Sequence, residues 1–279
     1  NQNSNQNTQY STQYNSGQYS NYGDQFFVTT DSAAVIVLDS QTGQTLYQKN
    51  VDSTRSIASI TKMMTAMVLI DAGLDMRDEI VLIDSDLVGA KKASTNLKAG
   101  DRLNRSEFML MMLMKSENPA AKALARTYPD GYDAFIQAMN QKAQSLGMYN
   151  TRYSDSSGLD PRNVSSAKDL VKMMQVLGSD PRYQTVRNFS TARNYDFYIN
   201  NYNYGSRVFR AANTSSLVRD GGYPITASKT GFIREAGHCV VMETYINGRP
   251  AIVVLLGANG SANRWKDAES ILTQLAYRR

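Results

Sequence analysis

The sequence predicts an α+β fold: an antiparallel sheet flanked by helices, with a helical subdomain inserted into it. Two observations carry this expectation. β-rich runs bounded by turn residues lie toward both ends of the 279-residue chain. Between them, over about 84–195, the apolar residues recur at helical spacing instead. A sheet built from about 26–83 and 196–279, interrupted by helices, satisfies both. With 42% hydrophobic residues, the chain can fill the core that such a fold needs.

Residues 1–25 contain only Asn, Gln, Ser, Thr, Tyr, Gly and one Asp. With nothing aliphatic to bury, this tract is expected to be a disordered tail or tether. Order is expected from Phe26. "SAAVIVLDSQTGQTLYQKN" gives two strands joined through "SQTG". "SIASITKMMTAMVLIDAG" follows as a helix, with Ile60, Met63, Met64, Met67 and Val68 on its apolar face and Gly73 as its stop. "RSEFMLMMLMK", "NPAAKALARTY", "YDAFIQAMNQKAQSLG" and "AKDLVKMMQVLG" supply the helical block. β character returns near Asp196. "PITASKTGF", "GHCVVMETYI" and "RPAIVVLLGA" then read as successive strands, the last two joined by an "INGR" hairpin turn. "NRWKDAESILTQLAY" closes the chain as an amphipathic helix.

Composition removes several function classes. Cys239 is the only cysteine and His238 the only histidine, so there is no internal disulfide and no zinc site of the usual His/Cys kind. Cys239 reads as a buried structural thiol. A nucleophile activated by histidine would have to use one imidazole; lysine is the more available base. The net charge of +5 suits anionic partners. There is no basic stripe interleaved with aromatics, so no nucleic-acid partner is expected. No apolar run is long enough to span a bilayer, and no transmembrane anchor is expected.

Lys62 stands out because it interrupts an otherwise uncharged apolar helix, three residues after Ser59. At that spacing, an amine and a hydroxyl share one helical face. Burial without a counter-ion lowers a lysine pKa, so a neutral Lys62 could take the Ser59 proton. A helix N-terminus would also favour the developing alkoxide. The alternative is a lysine that snorkels from a core helix. Ser-x-x-Lys occurs again at Ser165 and Lys168, where Ser166 and Asp169 read as a helix-capping pair and Lys168 as solvated. Ser-x-Asn occurs at Ser94, Ser116 and Ser261, whereas Lys-Thr-Gly occurs once, at Lys229 to Gly231, on an expected strand.

Ser-x-x-Lys, Ser-x-Asn and Lys-Thr-Gly in this order resemble the penicillin-binding proteins and serine β-lactamases. "IASITKMMTAMV", "LKAGDRL", "LMMLMKSENPAAKALA", "MNQKAQSLGMYNTRYSDSSGLD", "NVSSAKDLV" and "SKTGFIREAGHCVV" extend the similarity to the low-molecular-mass D-alanyl-D-alanine peptidases, covering nearly everything from Phe26 onward. Within that family the segments are most similar to the endopeptidases of the penicillin-binding protein 7/8 type. The resemblance implies roles. Ser59 is the nucleophile, Lys62 its base, and Ser116 a relay to the leaving amine. Asn118 holds the substrate amide, and Glu117 between them points away. Lys229 adds positive charge near Lys62, Thr230 binds the substrate carboxylate, and Gly231 lets substrate lie against the strand. The backbone N–H groups of Ser59 and Phe232 form an oxyanion hole. Arg264 is a further candidate for a carboxylate, or else a solvated helix-start arginine.

The implied function is cleavage of D-alanyl crosslinks in peptidoglycan through an acyl-enzyme, with no metal or organic cofactor. Peptidoglycan stem peptides are the substrate, β-lactams are covalent inhibitors, and other cell-wall enzymes are further candidate partners. The expected location is periplasmic, after removal of a signal peptide. The chain stops directly after the closing helix, whereas many carboxypeptidases of the family continue into a β-rich domain and an anchor; this favours the endopeptidase. The alternatives are a D-alanyl-D-alanine carboxypeptidase, a β-lactamase, or a non-catalytic sensor of β-lactams or peptidoglycan. A class A β-lactamase deacylates through a glutamate in a Glu-x-x-x-Asn segment; the chain is expected to lack such a segment, so a β-lactam is expected to acylate Ser59 and stay. Of the two Ser-x-x-Lys copies, only the first is expected to react. Ser59→Ala should abolish covalent labelling by a fluorescent penicillin, and Ser165→Ala should leave most of it, both read on a gel of folded protein.

Overall fold

The computed structural model describes residues 26–278. The tail expected over 1–25 lies outside them. The first strands are β1 (Ala34–Asp39), β2 (Thr45–Lys49) and the short β3 (Arg55–Ser56), followed by helix α1 (Thr61–Asp71). Next come β4 (Glu79–Val81) and β5 (Arg102–Asn104), then α2 (Arg105–Lys115), α3 (Asn118–Arg126) and α4 (Tyr132–Ser145). The short β6 (Val164–Ser165) precedes α5 (Ala167–Ser179) and α6 (Gln184–Ser190). A hairpin of β7 (Asn194–Ile199) and β8 (Arg207–Ala212) leads through α7 (Ser216–Asp220) into β9 (Ile225–Ile233), β10 (Gly237–Ile246), β11 (Arg249–Ala258) and α8 (Ser261–Tyr277).

The main sheet has the order β2-β1-β11-β10-β9, with every pair antiparallel. Both ends of the chain therefore meet at its centre, where Val37 of β1 pairs with Val253 of β11. Two tight turns join β1 to β2 and β10 to β11. In the first, Gly43 takes a φ of +75° and the Asp39 carboxylate accepts from the N–H groups of Gln41 and Thr42. In the second, Asn247 and Gly248 both have positive φ, at 54° and 72°, as a two-residue hairpin requires.

The central strands are apolar on both faces because both faces are covered. Ile36, Ile252 and Val254 point into the core shared with α1, α2 and α5. Val35, Val37, Val253 and Leu255 point the other way, onto Ile271, Leu272 and Leu275 of α8. This explains the unbroken "AIVVLL" of β11, which has no polar alternation. The methionines of α1 and α2 fill the helical side of the core.

The structure departs from the sequence expectation in the middle of the chain. The stretches around 88–100 and 146–163 are loops rather than helix, and β4 with β5 forms a small separate sheet. Turn-forming Gly, Asn, Ser, Asp and Pro dominate "GMYNTRYSDSSGLDPRN", and their local hydrogen bonds compete with a helix. The β character near Asp196 belongs to the β7–β8 hairpin, which forms a two-stranded sheet of its own, bridged to β5 at Arg102–Asn200, instead of joining the main sheet.

The N-terminal segment is pinned to α8 through one carboxylate. Asp267, 4% exposed, accepts from the N–H groups of Asp31 and Ser32 and from Ser32 Oγ at 2.6–3.0 Å. Asp267→Ala would leave those donors unsatisfied and should cost about 1–3 kcal/mol of stability. The loss should appear as a lower midpoint in thermal unfolding, with the rate of penicillin acylation little changed.

Candidate active site

The site forms where α1 enters the core beside the edge strand β9. Ser59 lies in a single 3-10 turn, Ala58–Ile60, directly before α1. It is thus one turn ahead of the helix proper, while Lys62 sits in the first turn of α1. Ala58 takes a left-handed φ of +49° to make the bend. For a residue with a Cβ this is costly, and it is held there by close packing on both sides. Two glycines provide that packing. A Cβ added to Gly158, whose φ is +93°, would fall 1.9 Å from the Ala58 carbonyl oxygen. A Cβ on Gly231 would meet Ser59 N at 3.0 Å and the Ile57 carbonyl oxygen at 3.1 Å. The bare face of Gly231, expected to receive substrate, thus meets the backbone of the nucleophile's own turn.

Lys62 is fully buried. Its Nζ lies 2.6 Å from Ser59 Oγ, 2.8 Å from Asn118 Oδ1 and 2.8 Å from the Ser157 carbonyl oxygen. Burial pulls its pKa down to about 7, against the raising influence of Asp155 and Glu117. A neutral amine has two hydrogens and one lone pair. The two carbonyl oxygens cannot donate, so they take the hydrogens and leave the lone pair to the Ser59 hydroxyl.

The Ser157 carbonyl is positioned by a folded loop whose role the sequence left unassigned. Asp155 accepts from Gly158 N–H at 2.9 Å and from the Ser157 hydroxyl. Asn163 crosses the loop to donate to the Asp155 carbonyl and to Thr61 Oγ1. The visible signal was the run of short polar residues and glycine in "SDSSGLD", which bonds locally.

The second wall comes from the junction of α2 and α3. Ser116 ends α2 in a left-handed conformation, φ +63°, and Asn118 opens α3. Between them the Glu117 carboxylate turns to Thr95 Oγ1 and to both N–H groups of Asn96, at 2.5–3.0 Å. Its side chain therefore braces the 94–96 loop rather than entering the catalytic cluster.

The third wall is β9. Lys229 is 2% exposed; its Nζ donates to Ser116 Oγ at 3.0 Å and to the Thr230 carbonyl oxygen at 2.9 Å. Burial, then repulsion from Lys62 and from Arg264, hold its pKa well below the usual lysine range. Thr230 Oγ1 lies 2.6 Å from Thr214 Oγ1, a partner that no motif had indicated. Phe232 is exposed on the rim and stacks on His238 at 4.2 Å between ring centroids. Arg264 is only 8% exposed and its Nε has no partner. Its guanidinium donates to the Cys239 carbonyl oxygen and to Ser261 Oγ, so the reading as a solvated arginine fails.

Ser59, Ser116, Asn118, Thr230, Gly231, Phe232 and Arg264 line one cleft of about 450 Å³, together with Ser94, Asn96, Leu159, Thr214 and His238. The remaining motif copies fall elsewhere or at its margin. Ser165 is buried against Thr151 while Lys168 is exposed. Ser94 and Asn96 are exposed at the cleft rim, and Ser261 opens α8. The Cys239 thiol is buried and pushed up to about 11, which makes it structural. The chain does contain one Glu-x-x-x-Asn match, Glu243 to Asn247, which the sequence expectation did not take into account. It spans the end of β10 and its turn; Glu243 accepts from Thr226 Oγ1 and does not line the cleft. A larger groove along α4, lined by Asp133, Gln137, Tyr149 and Arg152, holds no comparable nucleophile and base.

A serine hydroxyl facing a buried, desolvated lysine, with two further polar walls, is an arrangement suited to serine acyl transfer. Residues 22–260 match the serine peptidase family described as D-alanyl-D-alanine carboxypeptidase, Peptidase_S11, and the chain belongs to that family. It is 39% identical to a D-alanyl-D-alanine endopeptidase of Pseudomonas aeruginosa, over 85% of this chain and 74% of that protein. It is 39% identical to one of Escherichia coli, over 87% of this chain and 76% of that protein. The Streptomyces K15 DD-transpeptidase superposes with a TM-score of 0.80 at 25% identity, covering 88% of this chain and 97% of the other. The fold is that of the penicillin-binding DD-peptidases, and the chain is a serine D-alanyl-D-alanine peptidase.

The contact between Gly231 and the nucleophile's turn makes a direct prediction. Gly231→Ala should displace Ser59 by a few tenths of an ångström and lower acylation by about tenfold. The stopped-flow rate of penicillin acylation measures this, with circular dichroism to show that the sheet persists.

Proposed function

We propose that this enzyme cuts D-alanyl crosslinks between peptidoglycan stem peptides, with Ser59 as nucleophile and Lys62 as base. The observation that carries the proposal is the pairing of the Lys62 hydrogens with Asn118 and Ser157, which leaves its lone pair 2.6 Å from Ser59 Oγ. In acylation the Ser59 oxygen bonds to the D-alanyl carbonyl carbon and its proton passes to Lys62. The carbon–nitrogen bond then breaks as the leaving amine receives a proton through Ser116. In deacylation a water gives its proton to Lys62 and attacks the ester, and Ser59 leaves with a proton returned. Thr230 faces the substrate carboxylate, Lys229 lies buried beside it, and Arg264 places positive charge on the same wall. The N–H groups of Ser59 and Phe232 receive the oxyanion.

The endopeptidase reading draws on the relatives, whose names specify a D-alanyl-D-alanine endopeptidase. It implies a periplasmic enzyme that β-lactams acylate. No helix among the described residues is long and apolar enough to cross a membrane. With crosslinked muropeptide dimers, mass spectrometry should show conversion to monomers. Dimers that persist while pentapeptide monomers lose D-alanine would instead establish a carboxypeptidase.

The lysine base sets the pH dependence. Because the pKa of Lys62 is depressed to about 7, the amine is neutral above that pH and protonated below it. Acylation should therefore decline as pH falls through about 7. Lys62→Arg keeps the charge but cannot lose its proton, and should be slower by about 10²–10⁴-fold. A pH–rate profile of penicillin acylation for both proteins tests the pair.

A further inference from the structure

The β7–β8 hairpin presents an unusual surface for a part of the fold so firmly anchored. Of the thirteen exposed large hydrophobic residues among those described, Tyr195, Tyr198, Tyr202, Tyr204 and Val208 lie on it. Tyr198, Tyr202 and Tyr204 are 70%, 79% and 69% exposed. A mobile loop with solvated tyrosines would be ordinary, but this tip is fixed. Arg207 forms a two-pronged ion pair with the fully buried Asp101, at 2.7 and 2.8 Å. Asn201, itself buried, donates to Asp101 and to the Ala99 carbonyl and accepts from the N–H groups of Asn203 and Tyr204. The β5 backbone is joined to the tip as well, through Arg102 N–H to the Asn200 carbonyl at 2.8 Å.

The rings are also set by cations. The Arg102 guanidinium lies 4.0 Å from the Tyr202 ring centre, and Lys98 Nζ lies 4.8 Å from that of Tyr204. A cation on one face orients a ring and leaves the opposite face open. An open aromatic face has negative potential and takes C–H-rich, weakly positive surfaces. The axial face of a pyranose ring is such a surface, and its hydroxyl and amide groups suit the neighbouring polar side chains.

The hairpin is continuous with the cleft. β8 leads in two residues to Thr214, whose hydroxyl touches Thr230, and Arg207 donates to the Asn96 carbonyl on the cleft rim. At about 3.3 Å per residue, Val208, opposite Tyr198, is about 20 Å along the chain from Thr214. An extended stem of about four residues reaches about 14 Å from a scissile bond at Ser59, and the sugar that bears it extends beyond that.

We propose that the β7–β8 hairpin is a glycan-binding site, where Tyr198, Tyr202 and Tyr204 stack against the amino-sugar chain that carries the stem peptide held in the cleft. The proposal rests on the peptidoglycan reading above for its ligand. Rigid anchoring means that little ordering entropy is lost when the sugars dock. The site binds polymer, whereas the cleft alone recognises the peptide.

The test uses the whole chain with Tyr198→Ser, Tyr202→Ser and Tyr204→Ser combined. Cosedimentation with peptide-free glycan strands should show binding by the unaltered protein and about tenfold weaker binding by the triple variant. Cleavage of insoluble crosslinked peptidoglycan should fall by a similar factor. Acylation by penicillin and turnover of soluble muropeptide dimers should stay unchanged, which also shows that the variant is folded. If the unaltered protein fails to bind peptide-free strands, or the triple variant binds them equally well, the site is overturned, and the rings face some other partner such as a protein. If instead glycan binding depends on the tyrosines while muropeptide dimers are never cut, the endopeptidase reading falls and the glycan site stands.

Discussion

A single amine that must be uncharged before it can take a proton governs the arrangement of this protein. Lys62 has no exposed surface, and burial of an ammonium there is costly without compensation. The surrounding atoms accept a neutral amine instead: two carbonyl oxygens for its hydrogens and one hydroxyl for its lone pair. Those three groups come from α3, the 155–163 loop and the turn before α1. Each must arrive correctly for the others to work, so the fold's long-range topology and the proton chemistry are a single problem.

The close approach of backbone to backbone solves the positional part. β9 lies against the nucleophile's turn because Gly231 has no side chain, and the 155–163 loop lies against its other side because Gly158 has none. The antiparallel sheet fixes β9 through its long pairing with β10, where Gly231 faces Cys239. The sheet in turn is braced on its far face by α8. A chain of rigid contacts thus leads from the closing helix to the reactive oxygen.

Much of this was legible in the sequence. The strands β1, β2 and β9 to β11 and the helices α1 to α5 and α8 show in the apolar periodicity and in the Gly-Asn turns. Ser59, Lys62, Ser116, Asn118 and the "KTG" segment stand out because lysines without acidic partners sit in apolar surroundings, and because the three motifs come in a known order. What escaped has a common physical character. The Ser157 carbonyl and the left-handed Ala58 act through backbone geometry, and the Thr214 hydroxyl through a tertiary contact with Thr230, and no local pattern encodes them. Arg264 was ambiguous for the same reason, since only the packing of α8 on β10 buries it. The self-contained β7–β8 hairpin was placed in the wrong sheet because β propensity says nothing about which strand is the partner.

The two glycines that grip the turn have one more consequence, for how such an enzyme can change. A nucleophile clamped on both sides by main chain has no slack to share with a differently shaped substrate. Variation that alters what is accepted must therefore accumulate at the periphery, at Ser94, Asn96 and Phe232, whose side chains are exposed. The centre behaves as a fixed die and the margin as an interchangeable collar, so a library aimed at new substrates belongs on the collar.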